Sequence, residues 1–279
     1  MARKLKSLSR EKTLKLKPFL DEWVRRIEQP EYVEKDPVLF MHAFSDKEDQ
    51  ALAGFFAAIM AWGRRDIIIR KVQDLLDRMD NRPAEFIGNF AESDAHRFDG
   101  FKHRTFKPSD IYWLVKILST ILRRHHSFEE FWRYCYQKAR TTGRELIAVF
   151  HEEFFALQPE TPRRSRKHIS NSEKHSSCKR LYLYLRWAVR KNSPVDLGIM
   201  DFMPPSELIL PLDVHVARQA RALGLLTRHY NDWKAALEIT RQARLLDPED
   251  PAKYDYALFG LGVSDYQIPE DYIINDPAG

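Results

Sequence analysis

Apolar residues recur along this chain mostly at spacings of three and four, seldom in alternation. From Glu48 to Trp62, Ala, Leu, Phe and Ile fill most positions and Gly63 follows, the pattern of a buried helix with a glycine stop. Asp66 opens a second run, Ile67 to Met79. Ser109 and Asp110 stand where a cap belongs for a third, in which Ile111, Leu114, Val115, Leu118, Ile121 and Leu122 form one stripe. Further helices are predicted over 128–138, 144–157, 178–191, 213–223, 232–244 and 250–260. Polar, proline-bearing stretches at 92–108, 158–176 and 192–211 read as loops, and no internal repeat is evident. The expectation is an all-α protein of about nine to twelve helices. Two lobes around a cleft are expected, an arrangement that lets the chain's two ends share a lobe.

Composition narrows the class. A chain of 279 residues with 44% hydrophobic and 30% charged residues reads as globular, and no run approaches the roughly 18 apolar residues of a membrane span. The segment Met1 to Lys6 has no apolar core behind its charges, so a cytoplasmic location is expected. Two cysteines, Cys135 and Cys178, are too few for a zinc finger or an iron–sulfur cluster and are expected to stay reduced. No metal and no cofactor is expected.

Net charge is only +5, but it is unevenly placed. Residues 1–17 hold seven Lys/Arg against Glu11, and residues 163–191 hold ten against Glu173. Residues 247–279 hold eight acids against Lys253. The chain therefore divides into a basic N-terminal extension with the first helices (1–47), a helical domain (48–262) and an acidic C-terminal tail (263–279). Two basic blocks suggest a polyanionic partner, although such runs also serve as solvated faces.

Two helix starts carry the candidate chemistry. Lys179 falls in the first turn of an apolar helix, where the positive end of the helix dipole and partial burial both disfavour an ammonium and favour a nucleophilic amine. A surface lysine contacting phosphate or solvent is the plainer alternative. Asp213 follows Pro211 and precedes Val216, Ala217, Ala220 and Leu223, as an N-cap does; a cap aspartate can still turn one oxygen toward a cleft. His215, two residues on, reads as structural or phosphate-contacting. Gly100 to Phe106, with Lys102, His103 and Arg104 between aromatics, is either a nucleic-acid-contacting loop or a loop anchored by Phe. Ala61 to Asp66, with Trp62 and Arg64, is a helix corner with Trp62 in the core or a phosphate contact. Phe259 on the last helix packs by default.

At these residues the chain resembles the helix–hairpin–helix/GPD superfamily of DNA glycosylases. Leu212-Asp213-Val214-His215-Val216-Ala217-Arg218, with Leu223-Gly224-Leu225, is similar to the signature VDTHVxRxxxRLGL, and Phe55 to Trp62 with Asp66 is similar to LxxxxLSxQxxD. Gly63 stands at the glutamine position, and Ser172 to Lys179 replaces the glycine-rich hairpin LPGVGxKTA. The long interval from Lys179 to Asp213 is similar to the archaeal 8-oxoguanine glycosylase branch. The resemblance, over about residues 48–262, implies a bifunctional glycosylase and AP lyase for an oxidised purine. Lys179 would be the Schiff-base nucleophile and Asp213 the catalytic carboxylate. Arg180, Lys174, Ser177, His215, Arg104, His103 and Arg64 would contact DNA, and Trp62, Leu183 and Phe259 would form the base pocket. The implied partner is double-stranded DNA with a damaged base, bound by a monomer associated with the nucleoid. A non-catalytic DNA-binding module on the same fold is the alternative.

Overall fold

A computed structural model describes residues 5–275, and among them the protein is all-α. The first helices are α1 (Arg10–Lys15), α2 (Lys17–Ile27), α3 (Leu39–His42), α4 (Lys47–Met60), α5 (Arg65–Asp77), α6 (Pro83–Gly88) and α7 (Pro108–His125). They are followed by α8 (Phe128–Thr142), α9 (Leu146–Ala156), α10 (Arg163–Arg166), α11 (Lys179–Val189), α12 (Val214–Ala222), α13 (Trp233–Leu246) and α14 (Tyr254–Val263). No strand forms among the described residues; the only extended pairings there are isolated bridges, His103 with Phe106 and Ser176 with Asp232.

α4 is the structural centre. Asp46 caps it by accepting from the amides of Glu48 and Asp49, and every residue from Ala51 to Met60 is buried. Its aromatic face meets Phe128, Phe150 and Tyr184 around Phe55, and Trp132 stacks on Phe150 at 3.8 Å. α11 packs against α4, while α14 lies along α2 and α12. Gly262 permits the α12–α14 approach, because a Cβ there would lie 2.8 Å from the Cβ of His215. α11 also carries a buried charge network. Arg190 binds Glu28, Asp196 (2.8 Å) and Asp250 (2.8 Å), and Arg186 binds Asp196 and Asp255. Such charges are tolerated only when paired and hydrogen-bonded.

The main helices form where the apolar periodicity places them, and the extra ones are mostly four to six residues long, too short to display a period. Two start signals are displaced. Asp66 does not open α5; the helix begins at Arg65, and Asp66 pairs with Arg64 at 2.8 Å in the first turn. Asp110 is not the cap of α7 but its third residue, accepting the Lys107 amide at 2.8 Å. The stretch 263–275 is no projecting tail: Tyr272 stacks on Phe19 at 4.7 Å and Tyr266 meets Trp23 at 5.0 Å, both on α2. Asn275 exchanges hydrogen bonds with the Lys6 backbone at 2.8 and 2.9 Å, so the described ends of the chain meet. The outermost parts of the basic run and of the acidic tail, residues 1–4 and 276–279, lie outside the described residues. No described helix is long and apolar enough to cross a membrane.

Candidate active site

A cleft of about 990 Å³ opens where the starts of α11 and α12 face α14 and the corner between α4 and α5. The chain enters α11 through an unusual turn. His175 and Cys178 both adopt left-handed backbone (φ 63° and 54°), conformations that glycine usually supplies. The Ser176 hydroxyl accepts the Cys178 amide at 3.2 Å, and the His175 carbonyl accepts the Trp233 amide at 3.2 Å, so side-chain and long-range bonds hold what glycine would have eased. Burial pushes the Cys178 thiol up to about 11, and both cysteines are free and buried. Neither is a reactive thiol.

This turn delivers Lys179 as the first residue of α11. Its Nζ lies 3.3 Å from Asp213 Oδ2. The other oxygen of the same carboxylate, Oδ1, accepts the Val216 amide at 2.9 Å and caps α12. Asp213 therefore serves two roles with two oxygens, and Lys179 stays one-third exposed at the cleft. On α11, Lys179, Leu183 and Arg186 share the cleft-facing side at spacings of four and seven; on α14, Asp255, Phe259 and Val263 do so at four and eight. Trp62 completes the wall, with the guanidinium groups of Arg104 and Arg180 at 5.1 and 5.8 Å from its ring.

Lys179, Asp213, Ser177, His215, Arg180, Trp62, Leu183 and Phe259 thus come together on one cavity, as the sequence suggested. Others do not. His103 is buried, and its Nε2 donates to the Met60 carbonyl at 3.0 Å, so it shapes the corner rather than offering itself to phosphate. Arg64 is exposed beside Asp66, and its neighbour Arg65 lines the cleft instead, ion-paired with Asp36 at 3.3 Å and lying 4.9 Å from the Phe259 ring. Lys174 is exposed outside the cleft wall, and Arg104 edges a neighbouring groove. The Arg180 guanidinium bonds the Ile59 carbonyl and is half-enclosed, which makes it a wall residue. His215 Nδ1 donates to the Gly262 carbonyl at 3.2 Å.

A model of a family described as a protein of unknown function, DUF2400, matches residues 36–264. The chain belongs to that family. Every cleft-lining residue except Tyr32 falls inside the DUF2400 match, and Lys179 and Asp213 lie well within it. Comparison with curated proteins and with solved structures gives no match.

Asp255 is a cleft residue that the sequence did not single out. It is buried at the cleft, and burial pushes its carboxyl up to about 7 despite the Arg186 guanidinium, with Asp213 adding to the rise. The available signal was an acid inside an otherwise apolar helix, Tyr254 to Leu261, four residues before Phe259 and so on the same face. His168 was also missed: it is buried on the cleft wall, stacked on Phe106 at 3.7 Å and 3.3 Å from Asp110.

Proposed function

We propose that this protein is a DNA glycosylase with AP-lyase activity, acting on an oxidised purine of the 8-oxoguanine kind, with a two-lobed helical architecture like that of the helix–hairpin–helix/GPD enzymes. The observation that carries the reading is the Lys179–Asp213 pair at 3.3 Å, both residues at helix starts, on a cleft large enough for an extruded nucleotide. The flipped base enters between Phe259, Leu183 and Trp62, with Asp255 as the polar floor. Lys179 passes its ammonium proton to Asp213, and the freed amine bonds to C1′ as the glycosidic bond breaks; the departing base takes up that proton from Asp213. Asp213 offsets the positive charge that develops at the sugar and receives the proton shed by the new amine linkage. Ring opening gives a Schiff base, loss of a C2′ proton follows, and the 3′ phosphate leaves by β-elimination. Amide hydrogens at the start of α11 have no carbonyl within their own helix to bond, and with Ser177 they face the incoming phosphates. The protein works as a monomer on duplex DNA in the cytoplasm, at the nucleoid.

Incubation with labelled duplexes, each bearing a single lesion, tests this. Base release and strand scission without alkali are expected for an oxidised purine. Binding without base release would leave a damage-sensing module, and no binding would remove the nucleic-acid reading.

A further inference from the structure

Beside the cleft, the loop from Gly100 to Pro108 borders a second concavity of about 510 Å³, which shares Thr105 and Lys167 with it. Among the described residues, five cations line this groove (Lys102, Arg104, Lys107, Arg164 and Lys167) and no carboxylate does. The nearby acid, Asp110, is buried and already saturated. It accepts from Arg164 at 2.8 Å, the Ser165 hydroxyl at 2.7 Å and the Lys107 amide at 2.8 Å. Lys102, Lys107 and Lys167 are exposed and enter no ion pair among the described residues. Single lysines with no ion pair among the described residues, such as Lys35 and Lys234, occur elsewhere on the surface; here three of them share one concavity with two arginines. The loop bordering the groove is also held by contacts within the fold. Phe106 is held on His168, and the Thr105 carbonyl accepts from Arg164 at 2.9 Å. Arg104 sits in left-handed backbone against Trp62.

We propose that this groove is a sequence-independent track for the phosphates of a DNA duplex leaving the cleft. The inference rests on the nucleic-acid reading given above. Ammonium groups act as point charges on phosphodiester oxygens and read no base. Its two aromatic residues, Phe101 and Phe106, are fully buried, so the groove offers no platform on which unpaired bases stack. A backbone already held in shape has little ordering entropy to lose when the strand docks.

The test compares Lys102→Glu/Lys167→Glu with Arg123→Glu/Arg124→Glu, an equal charge change on exposed residues at the far end of α7, roughly 27 Å from its start. Binding of undamaged duplex is followed by fluorescence anisotropy across a range of salt, with melting temperatures as the check on folding. The groove variant should lose about 1.8 units of log–log salt slope, two phosphates' worth, while the control keeps the wild-type slope. Equal losses in both variants, no loss in the groove variant, or a loss confined to single strands would overturn the proposal. Wild-type protein that binds no DNA at all would instead bring down the nucleic-acid reading itself.

Discussion

α11 carries two sets of cation–carboxylate pairs that differ in almost every physical respect. At its start, Lys179 has one ion-pair partner among the described residues, Asp213, and is one-third exposed. Two turns on, Arg186 is 2% exposed, bound by Asp196 and Asp255 and stacked 4.0 Å over Tyr256; Arg190 is bound by three carboxylates. The inner set is buried, and each guanidinium in it is shared by two or three carboxylates; Asp255, with Oδ1 outside that pairing, is where it reaches the cleft floor. The outer pair is accessible and has capacity left. The comparison teaches that charge alone does not mark a site on this helix; what marks it is charge with unspent capacity facing open volume.

The largest effect should come from the inner set. Arg190→Met leaves Glu28, Asp196 and Asp250 without their common partner, and breaking a buried pair in this way costs about 3–5 kcal/mol. Denaturant titration should show that loss, whereas Lys179→Gln should cost less than about 1 kcal/mol. Comparable losses in the two variants would erase the distinction between the sets.

Asp213→Asn comes next. The amide keeps an oxygen for the Val216 N–H, so melting should stay near wild type. Excision should slow on the order of 10²-fold or more, because Asn neither accepts a proton nor offsets a cation. Normal excision by the folded variant would reduce Asp213 to a cap.

A smaller effect concerns pH. Burial pushes Glu48 up to about 7, as it does Asp255, against the lowering from the Phe128 amide. For an acid whose pKa is raised by folding, the native state holds the proton that the unfolded chain releases. The stabilisation is therefore full below the unfolded value and is lost as pH rises through about 7. Glu48→Gln removes one of these losses, so its stability relative to wild type should rise from about pH 5 to about pH 8 by roughly 1–3 kcal/mol. An unchanged difference across that range would show that Glu48 does not titrate there.

The smallest effect separates two adjacent arginines. Arg64→Ala, which frees only an exposed Asp66, should shift stability by less than about 0.5 kcal/mol. Arg65→Ala removes the contacts to Asp36, the Tyr32 hydroxyl and the Phe259 ring and should destabilise more. The opposite order would contradict the cleft wall as described.

These cases also show what the sequence could and could not tell. Lys179 and Asp213 were legible because a helix start is a local event, written by a proline, a polar cap and the apolar run that follows. Leu183 and Phe259 follow from helical phase once the helices are placed. Arg65 was passed over for Arg64 with the start of α5 placed two residues late, at Ile67, and neighbouring residues on a helix point about 100° apart. Asp255 and Arg186 were illegible for a different reason. Each reads as a misplaced charge in an apolar helix until folding brings Arg186 of α11 within bonding reach of Asp255 on α14. The turn before Lys179 was read as a departure from the glycine-rich hairpin, since no local pattern announces that His175 and Cys178 take up left-handed backbone.

The central claim is that Lys179 bonds covalently to a deoxyribose. Borohydride reduction of the protein on a duplex carrying the excised lesion tests it most directly. Wild type should yield a stable protein–DNA adduct, and Lys179→Gln should yield none while still binding the duplex. Undiminished adduct in that variant, or none in wild type that releases the base, would contradict it.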